Sequence, residues 1–116
     1  MLIDENGYLK VTDFGFAKIL PNEKRTFTIC GTPEYLAPES FCNNKRGYGK
    51  SVDIWAFGIF LFEMLAGVPP FQSRDPYSIY QNIIKGVLYI PPHFSDHAGD
   101  FLRNVLQVDP CKRLGG

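Results

Sequence analysis

At 116 residues the chain has the length of one domain or of a piece of a larger one. Hydrophobic residues make up 45% and charged residues 21%, the composition of an ordinary soluble globular protein. Twelve basic and twelve acidic residues cancel without a long run of either sign, which excludes the electrostatic footprint of a nucleic-acid binder.

In chain order, Leu2-Ile3 and Leu9-Lys10-Val11 are short strand-like runs on either side of Asp4-Glu5-Asn6-Gly7-Tyr8. The Asn-Gly pair supplies two residues that tolerate positive φ, and this predicts a β-hairpin. Asp4 and Glu5 read as a solvated turn. From Asp13 to Pro38 there is neither a helical nor a strand period, and the run holds Gly15, Pro21, Gly31, Pro33 and Pro38. So long an irregular stretch in a compact domain is either functional or disordered.

Ser51 can cap a helix running through Leu65, with Gly67 placed to end it and Pro69-Pro70 to prevent its continuation. The helix is apolar around nearly its whole circumference, so it belongs inside a protein. Its apolar run, Ile54 to Ala66, is interrupted by Glu63 and is too short to span a bilayer. A second helix is predicted from Pro76 to Lys85, started by Asp75-Pro76 and closed by Gly86. A third is predicted from Ser95 to Val108, with Phe101, Leu102, Val105 and Leu106 on one stripe.

Cys30, Cys42 and Cys111 are odd in number, widely spaced and without a CxxC pattern, as expected of reduced thiols in a cytosolic protein. The first residues carry no basic region and no small-residue cleavage site, so nothing looks like a secretory signal. The expected location is the cytoplasm, with the nucleus as the alternative.

Two tripeptides frame the irregular stretch, Asp13-Phe14-Gly15 at its start and Ala37-Pro38-Glu39 at its end, with Gly31-Thr32-Pro33-Glu34-Tyr35 just before the second. Each alone is a weak signal; together they form the pattern of a protein-kinase activation segment. Phosphoryl transfer needs phosphate charge held and neutralised, largely by Mg²⁺, and a carboxylate such as that of Asp13 is a suitable hard ligand. The bland alternative for Asp13 is a loop or cap aspartate after a strand.

Almost end to end, the chain resembles the catalytic subunits of cAMP-dependent protein kinase, a family of the AGC serine/threonine kinases. The resemblance is carried by Val11 to Lys18, by Cys30 to Glu39, and by Leu106-Gln107-Val108-Asp109 with Lys112-Arg113. Short insertions fall near Pro21 to Glu23 and near Asn43 to Arg46. The cyclic-GMP-dependent kinases are the nearest competitor by resemblance.

What the resemblance implies is an ATP- and Mg²⁺-dependent serine/threonine kinase acting on proteins or peptides near arginine. Asp13 would hold the metal with its nucleotide, Thr12 would line the adenine pocket, Phe14 would be an apolar plug orienting Asp13, and Gly15 would let the backbone turn. Thr28 stands where the family carries its activating phosphate, a group of about −1.5 to −2 charges; the alternative is an exposed loop threonine. Thr32 matches the residue that favours serine or threonine over tyrosine, and Ile29, Pro33 and Leu36 match the pocket for the residue after the phosphoacceptor. Glu63 matches the glutamate that pairs with a substrate arginine, a helix-surface glutamate being the alternative. Glu39 and Arg113 match a buried ion pair, and Asp53 matches the aspartate that caps the catalytic loop. Phe27, Ile54 and Gln72 depart from the family pattern, which weakens the expectation of a cAMP-binding regulatory subunit as partner.

The fold expected is α+β: a protein-kinase-like C-lobe fragment, mostly helical, with one β-hairpin and a long activation segment. The partial domain divides into residues 1–39, with the hairpin and that segment, and a helical part from 40 to 116. These residues hold no glycine-rich loop, no Val-Ala-Ile-Lys strand and no catalytic loop with its Asp base, so no catalytic residue is assigned. The chain reads as a fragment, inactive alone and unstable or partly molten. The alternative function is a non-catalytic module that binds peptides or a regulatory subunit.

Overall fold

The computed structural model describes residues 1–14, 17, 19, 33–41 and 49–115. β1 (Leu2–Ile3) and β2 (Leu9–Lys10) pair antiparallel, with Leu2 opposite Lys10 and Ile3 opposite Leu9. The loop between them is built on Asp4. Gly7 N donates to Asp4 O at 3.0 Å and Asp4 N donates to Tyr8 O at 2.8 Å, while Asp4 Oδ1 accepts from Asn6 N and Tyr8 N at 2.9 and 2.8 Å. Of the Asn-Gly pair only Gly7 takes a positive φ, +85°. A left-handed glycine after a β-turn suffices in a loop longer than two residues, here the five from Asp4 to Tyr8, and Asn6 need not follow it there.

A single turn of 3₁₀ helix at Pro33–Tyr35 leads to the four-residue α1 (Pro38–Phe41); neither was visible as a period. The long helix α2 spans Ser51–Ala66 and ends at Gly67, whose φ of +82° lets its N–H bond back to Glu63 O at 2.7 Å. Its start differs from expectation. Lys50 occupies the cap position without a side-chain bond, and Ser51 lies one residue inside with its hydroxyl turned to Glu39.

α3 (Pro76–Lys85) has the bounds the sequence announces: Asp75 accepts from Tyr77 N, proline opens the first turn, and left-handed Gly86 closes it. α4 (Asp96–Val105) is capped by the Ser95 hydroxyl, which accepts from Ala98 N. It is shorter than predicted: Leu106 leaves helical geometry at φ −93°, ψ 42° while staying buried. An apolar stripe reports burial and not backbone, which is why the pattern overran the helix.

The core lies where the helices meet. Trp55, Ile59 and Phe62 of α2 pack with Ile79 and Ile83 of α3, with Leu102 of α4, and with Ala37, Phe71 and Leu106. Trp55 stacks on Phe71 at 5.8 Å between ring centres, and Phe62 meets Phe94 edge-on at 5.2 Å. The all-round apolar α2 is nonetheless covered on one side only: Phe57, Met64 and Leu65 are exposed, and so are Leu2, Ile3, Leu9 and Val11 of the hairpin. Among the described residues no helix is long and apolar enough to cross a membrane.

Candidate functional site

The hairpin delivers Thr12, Asp13 and Phe14 at its end, and all three are exposed. Asp13 has φ +63° and is the only non-glycine among the described residues with a positive φ. An L-residue in the left-handed region is uncommon, although aspartate tolerates it better than most. Such backbone strain clusters at functional sites, which makes this observation a reason to look for function at Asp13. Ala17 N donates to Phe14 O at 3.0 Å. Phe14 is 68% exposed, so the expected apolar plug is not packed here. The hairpin stands with its apolar residues in solvent, and a plug needs a wall.

The helical body holds a second cluster. The Arg113 side chain is fully buried and spends all of its donors. Nη1 reaches Glu39 Oε1 at 2.6 Å and Ser51 O at 2.9 Å; Nη2 reaches Glu39 Oε2 at 3.0 Å and Gln107 O at 2.9 Å; Nε reaches Gln107 O at 3.0 Å. The guanidinium also lies over the Trp55 ring, 5.1 Å from its centre. Ser51 Oγ donates to Glu39 Oε1 at 3.2 Å. One arginine thereby ties α1, the start of α2 and the segment after α4 to one another. A buried charge is tolerable on these terms, with every donor placed and a carboxylate opposite. Ser51 is the member that sequence reasoning missed, because a serine at a helix start signals a cap before anything else.

The remaining candidates are scattered or lie elsewhere. Gly15, Thr28, Ile29 and Thr32 fall outside the described residues. Pro33 opens the 3₁₀ turn, which packs against α2 and α3, and Leu36 just after it is half-buried. Glu63 is half-buried near the end of α2, without an ion pair among the described residues, and Asp53 is exposed in the first turn of the same helix. A cleft of about 460 Å³ beside α4 is lined by Gly86, Leu88, Arg103, Val108 and Lys112 among others and contains none of these residues.

For a metal, the described residues offer no group of three or more His, Cys, Asp or Glu. A caged cation is therefore not what they could hold. Mg²⁺ is commonly bound through one or two carboxylates, with phosphates and water supplying the rest, and the exposed carboxylate of Asp13 fits that donor set.

The chain belongs to the protein kinase domain family, whose match covers residues 1–116. Within that family it is similar to the cAMP-dependent protein kinase catalytic subunit PRKX of Homo sapiens, 50% identical over 99% of this chain and 31% of that protein. The cAMP-dependent protein kinase catalytic subunit of Dictyostelium discoideum is 51% identical over 99% of this chain and 17% of its own length. A cGMP-dependent protein kinase of Drosophila melanogaster, isozyme 1, is 43% identical over 99% of this chain and 15% of its own length. The chain spans a third or less of these relatives.

Proposed function

We propose that this chain is the activation-segment and C-lobe portion of a serine/threonine protein kinase of the cAMP-dependent type, which transfers phosphate from ATP to Ser or Thr near arginine. The observation that carries the reading is Asp13, held at φ +63° by the hairpin at the start of a stretch that begins Asp13-Phe14-Gly15. The family match along the whole chain supports it.

When bound, Mg²⁺ neutralises the charge of the nucleotide phosphates. The Asp13 carboxylate is the group in this chain that would hold the ion, with Thr12 beside the adenine. Phosphate on Thr28 would order the segment that precedes Ile29, Thr32, Pro33 and Leu36, where the residue after the acceptor would sit. Glu63 would take the substrate arginine, and Asp53 would cap the catalytic loop. Glu39 and Arg113 act at a distance from chemistry, fixing the end of the segment to the body. No base for the acceptor hydroxyl is assigned in these residues, so the chain alone does not transfer phosphate. The location proposed is cytoplasmic or nuclear. Phe27, which lies outside the described residues, the half-buried Ile54 and the exposed Gln72 depart from the pattern of the cAMP-dependent relatives, and this weakens the case for a regulatory subunit as partner.

The test is a chimera in which residues 1–116 replace the matching stretch of the PRKX relative. It is expected to phosphorylate a serine peptide preceded by arginines, and Asp13→Ala is expected to abolish this. A folded chimera that binds the peptide without transferring phosphate would favour the non-catalytic binding module instead.

A further inference from the structure

We propose that Asn6 is a site of spontaneous deamidation, held in check by the hydrogen bonds that Asp4 makes across the hairpin loop. Asn6 is the only asparagine in the chain followed by glycine, and both residues are exposed. A Cβ at Gly7 would meet nothing within 4 Å, so the position after Asn6 stands in open space.

The reaction needs only water. The Gly7 amide nitrogen loses its proton to solvent and attacks Cγ of Asn6, forming an N–Cγ bond as the Cγ–Nδ2 bond breaks. The amide leaves as ammonia with that proton restored to it. The five-membered imide then takes up one water at either carbonyl, giving aspartate or isoaspartate at position 6. A side chain on the following residue would obstruct the attack, and glycine has none.

The fold opposes this step at the attacking atom. Gly7 N is occupied as a donor to Asp4 O at 3.0 Å, and the flanking Asn6 N and Tyr8 N are both held by Asp4 Oδ1. Ring closure requires Gly7 N to leave its acceptor and the peptide plane to rotate, so the loop that displays the dipeptide also brakes it. Once the reaction has run, a carboxylate stands beside Asp4 and Glu5, and the isoaspartate product adds a methylene to the main chain. That extra atom breaks the pairing of Leu2 with Lys10 and Ile3 with Leu9 that leads to Asp13. Asn6 is thus an ageing site for the element that positions Asp13.

The experiment compares the purified chain with a synthetic peptide of residues 1–13 at neutral pH and body temperature. Ammonia release and peptide mapping follow the two products by mass and by their separation on reversed-phase chromatography. Both samples are expected to convert at position 6, the chain about fivefold more slowly, as one ordinary hydrogen bond would give. Asp4→Ala keeps the main-chain acceptor of Gly7 N but removes the Oδ1 acceptor that holds Asn6 N and Tyr8 N, and with the loop released it is expected to bring the chain toward the peptide rate. Asp4→Asn, which keeps an oxygen acceptor, is expected to stay slow, and this separates the brake from a general loss of folding. No conversion in either sample overturns the site. Equal rates in chain and peptide overturn the brake, and an unchanged rate in Asp4→Ala overturns the part of it given to the Asp4 side chain.

Discussion

Arg113 holds Glu39 by two parallel hydrogen bonds, of 2.6 and 3.0 Å, across 74 positions of sequence. A guanidinium and a carboxylate match in this fork geometry, and the pairing gives direction as well as attraction. Because the arginine is buried, the worth of the pair shows when one side is removed, since the other charge is then left without a partner.

Glu39→Ala and Arg113→Ala are each expected to lower stability by about 3–5 kcal/mol. Arg113→Lys is expected to recover little of this, since an ammonium cannot serve Glu39, Ser51 O and Gln107 O in one plane. Urea unfolding of the chain, or of the chimera, reads the loss as a shift in midpoint. A change below about 1 kcal/mol, the range of a surface pair, would show that the cluster does not close in solution.

Ser51 distinguishes two accounts of the start of α2. As a helix cap its hydroxyl would accept from a backbone N–H; in the structure it donates to Glu39. Ser51→Ala is expected to cost about 0.5–1.5 kcal/mol, the net value of one hydrogen bond. The same change made in a Glu39→Ala background is expected to cost close to nothing. A cost that survives in that background would return Ser51 to the role of cap.

What the sequence made legible was local. Asp75, Pro76 and Gly86 bound α3 because a cap, a helix-opening proline and a left-handed stop act within a few residues of themselves. The hairpin was legible for the same reason. The partner of Ser51, the end of α4 one residue before buried Leu106, and the exposure of Phe14 were not, since each depends on what packs against it. The Glu39–Arg113 pair came from resemblance alone; no spacing rule joins residues so far apart.

Gly58 sets how closely α2 and α4 approach. A Cβ there would stand 2.6 Å from Val105 Cγ1 and 2.9 Å from Leu106 Cδ2, both buried and confined. Gly58→Ala gains about 0.8–1.0 kcal/mol of helix propensity. Against this stands an overpacking cost of about 1–3 kcal/mol. A net loss of about 1 kcal/mol is expected, measured by thermal or urea unfolding. Net stabilisation would show that the two helices separate easily.

Asp13 carries a backbone requirement and a chemical one, and two substitutions separate them. Asparagine tolerates the left-handed region about as well as aspartate but brings no negative charge to a cation. Asp13→Asn is therefore expected to leave stability within about 0.5 kcal/mol while removing phosphate transfer from the chimera. Asp13→Ala is expected to lose transfer and also about 1 kcal/mol of stability, because alanine lacks the local bonding that eases φ near +63°. Transfer that persists in Asp13→Asn would take the metal-holding role away from this residue and leave the strained backbone as its whole contribution.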